Sequence, residues 1–217
     1  MTRRTVWIIF VVSCMMGGAA ILASSNVRLP GNDIGYVPEQ PIAFSHRLHA
    51  GELAISCLYC HSGAEQSRHA GIPAVSVCMN CHLTVKAPMA EVKAEAAAAT
   101  AEGRDPRRIV SPEIQKIYDA MGLDKDLKRD PKRPAPGISW IKVHDLPDFV
   151  YFNHGRHVNA GVDCTACHGP VATMDRVRQE SNLSMGFCVN CHRDVNENGL
   201  AGDHSLHAST DCAGCHY

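Results

Sequence analysis

Ten of the eleven cysteines in this chain fall into five copies of one spacing, each closed by a histidine. The copies are Cys57-Leu-Tyr-Cys60-His61, Cys78-Met-Asn-Cys81-His82, Cys164-Thr-Ala-Cys167-His168, Cys188-Val-Asn-Cys191-His192 and Cys212-Ala-Gly-Cys215-His216. Two thiols with two residues between them can add to the two vinyl groups on one edge of a porphyrin. The adjacent imidazole then lies under the ring and supplies the proximal nitrogen to iron. Paired zinc sites are the competing reading, and no zinc scheme explains a His after every pair. The expectation is therefore five covalent haem c groups. Cys57, Cys60, Cys78, Cys81, Cys164, Cys167, Cys188, Cys191, Cys212 and Cys215 attach them, and His61, His82, His168, His192 and His216 are the proximal iron ligands.

An iron that only passes electrons needs a second axial ligand. Beyond the five proximal residues the chain has His46, His49, His69, His144, His154, His157, His204 and His207. Supply exceeds demand, which argues against an open iron position. No catalytic residue is expected, and the chain reads as an electron relay rather than an enzyme. The phrase Phe44-Ser45-His46-Arg47-Leu48-His49 before the first motif pair returns as Phe152-Asn153-His154-Gly155-Arg156-His157 before the second, an internal duplication. Two His three apart project from one helical face and are expected to serve different irons. His46, His49, His154 and His157 are the first candidates, followed by His144 and then His207, which is favoured over His204. Met185, three residues before Cys188, is a further candidate that would raise its haem's potential. His144, His157, His207 and Met185 compete for the later sites, and spacing alone does not pair them with irons. His69 reads as a surface residue.

The elements around these groups have little mass of their own. Aromatic residues are 6% of the chain, and Gly and Pro are frequent. The expected fold is mainly α with much irregular structure and little β, wrapped around five haems, with one N-terminal transmembrane helix. Porphyrins would supply the missing apolar bulk, as metals and staples do in small domains, so the haem-free chain is expected to stay largely unfolded. The formal net charge of −1 gives no nucleic-acid signal. Residues 1–25 form an anchor: Val6 to Ala23 is an apolar run broken by Ser13, Gly17 and Gly18, preceded by Arg3 and Arg4. By the positive-inside rule the N-terminus stays cytoplasmic and the haem domain is periplasmic. A cleaved signal peptide has a similar look, with small residues at Ala23-Ser24-Ser25, but its apolar middle is ordinarily shorter. Ser13 with Gly17 and Cys14 with Gly18 put small residues on one face, which suits docking on another membrane helix.

Residues 26–87 carry the first haem pair, 88–139 a helical and charged insert, and 140–217 the second pair and the fifth haem. Within the insert, Pro88 to Ala101 is rich in helix formers. Ser111-Pro112-Glu113 reads as a cap, a first-turn proline and an acidic first turn for a helix to about Met121. Lys125 to Pro136 reads as an exposed loop.

These residues resemble the pentahaem cytochrome subunit of bacterial alternative complex III, a membrane quinol oxidoreductase. The likeness runs nearly end to end. It rests on the anchor, the five motifs, Ala70-Gly71-Ile72-Pro73, Ser111 to Tyr118, the stretch Trp140 to Phe152, Met185-Gly186-Phe187-Cys188 and the terminal Cys215-His216-Tyr217. The F-x-H-x-x-H phrases are also similar to those of small class III multihaem cytochromes. The resemblance implies a subunit on the periplasmic face of the bacterial cytoplasmic membrane. Its neighbours would be an iron–sulfur subunit and quinol-binding membrane subunits. Quinol electrons would pass to a soluble cytochrome, a similar carrier or a terminal oxidase. A related periplasmic quinone reductase complex, with electrons running the other way, is the alternative reading. A multihaem nitrite or hydroxylamine enzyme is a remoter one. The insert around Ala94 to Arg108 is longer than the resemblance leads one to expect.

Overall fold

The computed structural model describes residues 2–23 and 33–216. The small residues Ser24 and Ser25 and the terminal Tyr217 lie outside the described part. Helix α1, Arg3–Ala23, is 21 residues long, about 31 Å at 1.5 Å per residue. Its window Arg3–Ala20 has mean hydropathy 1.2 and no residue buried within the protein. It is the one described helix long and apolar enough to cross a membrane.

Beyond it, short helices are joined by irregular chain, as the composition led one to expect. A π-helical turn, Arg47–Glu52, precedes α2, Cys57–Cys60; α3 is Val75–His82. The insert supplies α4, Met89–Glu102, and α5, Pro112–Ala120. Then come α6, His154–Asn159; α7, Thr165–His168; α8, Met185–Asn198; and α9, Cys212–Cys215. Among the described residues pairing in the β sense is limited to two isolated bridges, Leu123 with Arg129 and Leu200 with Asp203.

Both insert helices lie where their sequence signals put them. Ser111 caps α5 by accepting from the Ile114 amide, with Pro112 in the first turn. This is the position where a missing N–H loses nothing. Gly103, at φ +66°, ends α4 in the left-handed conformation that lacks a Cβ penalty. The apolar core gathers around α5: Ile42, Ile117, Tyr118 and Leu123 are buried, with Val75, Cys78, Met79, Ile114, Ile138 and Trp140 packed on them. The chain from Lys125 to Pro136 is mostly exposed, as expected. It is nonetheless tied down, because Arg129 donates to the Gly122 and Arg133 carbonyls and Arg133 to that of Leu123.

Candidate functional site

Four of the five motifs, all but the third, begin at or just inside a helix, so their cysteines sit one turn apart on one face. In the third, Cys164 caps α7 and Cys167 lies within it. None of α2, α3, α7, α8 and α9 buries a residue among those described. Their motif cysteines and histidines are half-buried or exposed. No cluster of three or more His, Cys, Asp or Glu side chains among the described residues converges as a tetrahedral zinc site would require.

Seven of the histidines have Nδ1 tied to a backbone carbonyl. The Nδ1 of His61 donates to the Gly71 carbonyl (2.7 Å), that of His82 to Val85 (2.8 Å), that of His192 to Ser209 (2.5 Å) and that of His216 to Phe149 (3.2 Å). Among the distal candidates, His49 donates to Ser45 (2.8 Å), His154 to Arg68 (2.9 Å) and His157 to Asn153 (2.8 Å). A carbonyl oxygen only accepts, so Nδ1 carries the proton in each ring and the Nε2 lone pair is left for a metal. Metal-ligating His is held in this way by its other nitrogen. Burial pushes the pKa of His168 down to about 4, helped by His144, His154 and His61. It does the same to His46, also to about 4, helped by His61 and His49. His144 is lowered by burial too. These three rings stay neutral near pH 7, the form that binds metal.

Ring separations supply a second test of fit. With metal–imidazole bonds of about 2 Å, as zinc shows, and about 1.2 Å from nitrogen to ring centre, two rings across one metal have centroids roughly 6–6.5 Å apart. His49 and His82 are 6.2 Å apart, His154 and His168 6.4 Å, and His157 and His192 6.1 Å. His154 and His168 are also nearly parallel, at 10°. His144 lies only 4.4 Å from His168 and edge-on at 81°. That is too close for a metal between them, and its buried Nε2 has no hydrogen-bond partner. The donors present therefore fit haem iron.

The duplicated phrase becomes duplicated geometry. Phe44 stacks on His49 (4.3 Å, 26°) and meets His46 edge-on (4.9 Å, 86°). Phe152 stacks on His157 (4.4 Å, 28°) and meets His154 edge-on (4.7 Å, 88°). In both copies the second His bonds the carbonyl of the residue after the Phe. The sequence repeat pointed to the histidines. The same repeat marks Phe44 and Phe152, whose rings clamp the two histidines of each phrase. The orienting carbonyls of Arg68, Gly71 and Ser209 leave no trace in side-chain identity.

The remaining candidates are less gathered. His207, His204 and His69 are exposed, and Met185 opens α8 with 70% of its surface exposed. His216 has Phe149 at 5.7 Å.

Thiol neighbours cross between motifs. Burial raises the pKa of the Cys60, Cys78, Cys164, Cys167 and Cys188 thiols. A nearby thiol raises each further: Cys81 beside Cys60, Cys60 beside Cys78, Cys57 beside Cys164, Cys188 beside Cys167 and Cys215 beside Cys188.

Comparison with known proteins agrees with this chemistry. Residues 150–217 match the family described as cytochrome c7 and related cytochrome c. The chain is 27% identical over 198 residues to the multiheme cytochrome c subunit of menaquinone reductase from Nitratidesulfovibrio vulgaris, covering 82% of this chain and 77% of that protein. It is 30% identical over 89 residues to the multiheme cytochrome MtrA of Shewanella baltica, covering 35% of this chain and 27% of that protein. The chain is thus similar to multihaem c-type cytochromes, whose haem is covalently attached.

Proposed function

We propose that this chain is an electron-relay subunit of a membrane quinol:electron-acceptor oxidoreductase of the alternative complex III type, carrying five covalent haems. The observation that carries the reading is the set of three facing imidazole pairs, 6.1–6.4 Å apart, each joining a motif His to a His of a duplicated phrase. His82 pairs with His49, His168 with His154 and His192 with His157. By the parallel with His154 in the second phrase, His46 would complete the first haem. Each phrase then serves the two motifs that follow it. For the iron at His216, His144, His207 and Met185 are the donors left. The haems would supply one-electron storage and transfer. The protein's own part is to fix the Nε2 lone pairs by carbonyl contacts and to hold the rings with Phe44 and Phe152; His46, His49, His154 and His157 would help hold the haems and leave no metal free for substrate.

The apolar helix α1 and the two preceding arginines support a single-span anchor in the bacterial cytoplasmic membrane, with the haem region periplasmic. An iron–sulfur subunit and quinone-binding membrane subunits would be its partners. A soluble carrier or an oxidase would take the electrons. Quinone reduction is the second reading, favoured by the similarity to a menaquinone reductase subunit. Both directions require low-spin, six-coordinate haems and partner subunits. Purification from membranes tests the shared claim: the chain should come away with other subunits and five haems, without a high-spin ferric signal. A solitary monomer, or nitrite binding to a five-coordinate iron, would overturn it. A redox titration separates the directions, because uniformly low potentials favour quinone reduction.

A further inference from the structure

The motif numbers follow the chain, but the motifs do not lie in that order in space. The first and second touch through Asn80, which donates to the Tyr59 hydroxyl at 2.8 Å. They also share the turn that bears His46 and His49. Among the described residues, no hydrogen bond or ring contact joins the second motif to the third. Instead, the chain just after the first motif is bound to α6, the helix that faces the third and fourth. His154 and Gly155 donate their amides to Arg68 (3.2 Å) and Ser67 (2.9 Å), and Asn159 donates to Glu65 (2.9 Å). Gly155 permits this approach, since a Cβ there would lie 3.0 Å from the Glu65 carbonyl. Arg68 also lies over the Tyr151 ring at 4.6 Å. The turn with His46 and His49 reaches the chain after the third motif as well. Its Arg47 amide donates to Met174 (2.9 Å), and its guanidinium pairs with Asp175 (3.1 Å).

From α6, His154 faces the third motif and His157 the fourth. The fourth and fifth are joined where His192 bonds Ser209 and where Asn196 exchanges hydrogen bonds with Ala208 at 2.9 and 2.8 Å. The second motif, by contrast, backs onto the core of the insert: Cys78 and Met79 pack there, and Tyr118 donates to the His82 carbonyl at 2.6 Å.

We propose that the haems are strung in the spatial order second, first, third, fourth, fifth, so that the haems at His82 and His216 are the two ends of the relay and exchange electrons with partners. This rests on the five-haem reading above and extends it. The interior haems at His61, His168 and His192 each have two haem neighbours and the end haems have one.

The experiment uses the full-length holoprotein and counts neighbours by electron paramagnetic resonance. His49→Met raises the potential of the haem at His82, and His46→Met does so for the haem at His61. Each raised haem can then be reduced alone to the diamagnetic ferrous form, which removes its spin coupling to ferric neighbours. The expected result is one altered ferric signal in His49→Met and two in His46→Met. The reverse counts would restore chain order and overturn the proposal. Haem deletion gives a second route that does not depend on methionine binding. Cys57→Ala with Cys60→Ala should leave one ferric haem uncoupled from the other three. Cys78→Ala with Cys81→Ala should leave all four remaining haems coupled; an isolated haem there instead would overturn the order. Haem content and co-purifying subunits, read on the same samples, report separately on the five-haem relay itself.

Discussion

Two regions of the body are held together by different means. Around α5 there is an ordinary protein core: Tyr118 is 2% exposed, Ile42 and Leu123 6%, and Ile117 7%, with aliphatic neighbours packed on them. Around the motifs, the helices bury none of their described residues, and their Cys and His are half-buried or exposed. Side-chain burial stabilises the first region, at about 25 cal/mol per Å² of apolar surface. The second has the polar scaffolding of a binding site, with hydrogen-bonded rings and capped short helices, but not the apolar mass. The contrast leads to the expectation that bound haem stabilises the motif region, while the insert helix α5 packs with Ile42, Val75, Cys78 and Met79 into an apolar core on which the second motif rests.

The largest effect should come from removing a haem in the middle of the open region. Cys164→Ala with Cys167→Ala is expected to lower the midpoint of thermal unfolding of the body, followed by circular dichroism, more than any variant below, because both neighbouring motifs lose an apolar partner. An unchanged melt would mean that the motif region is stable without it. Next, Tyr118→Ala should destabilise the insert by about 3–5 kcal/mol, the usual range for deleting a buried aromatic, and perturb the haem at His82 before the others. Tyr118→Phe, which keeps the ring and loses only the bond to the His82 carbonyl, should cost about 1 kcal/mol. Denaturant titration with haem absorbance as a second probe measures both.

A smaller effect is expected at Gly51. A Cβ there would meet the Ala172 carbonyl at 2.3 Å, so Gly51→Ala should push the turn bearing His49 away from the chain after the third motif. The loss should be about 1–3 kcal/mol, as for overpacked sites, with altered ligand-field lines for the haem at His82. Native spectra in that variant would mean that the turn moves freely.

The smallest effect lies on the insert surface. The Arg104 guanidinium, then the Arg107 amide, hold the Glu95 carboxyl down to about 2, from an ordinary value of 4.5. A depressed carboxylate contributes stability that is fully present above pH 4.5 and is lost as pH falls through about 2. Glu95→Gln should therefore remove part of the acid dependence in that window and leave haem spectra near neutrality unchanged. Hydrogen exchange of the α4 amides, compared at pH 5 and pH 3, measures it; identical pH dependence in the variant would remove Glu95 from the account.

Much of this protein is determined by the sequence alone. Covalent attachment chemistry fixes residue type and spacing so tightly that Cys57 to His61 and its four counterparts announce the site without a structure. The same holds for the repeated phrase ending in His49 and His157, and for α5, whose cap, first-turn proline and apolar spacing are local signals. What the chain order hid is which rings meet. The pairing of His49 with His82 and of His154 with His168 depends on where irregular segments cross. Those crossings are made by backbone carbonyls such as Arg68 and Ser209, which every residue type has and no motif can mark. That His144 stands next in line as a ligand is likewise an expectation from the sequence, whereas its edge-on approach to His168 at 4.4 Å is set by tertiary packing. The spatial order of the motifs follows from the same physics: long-range contacts between loops are set by the whole fold, whereas attachment is set within one helical turn.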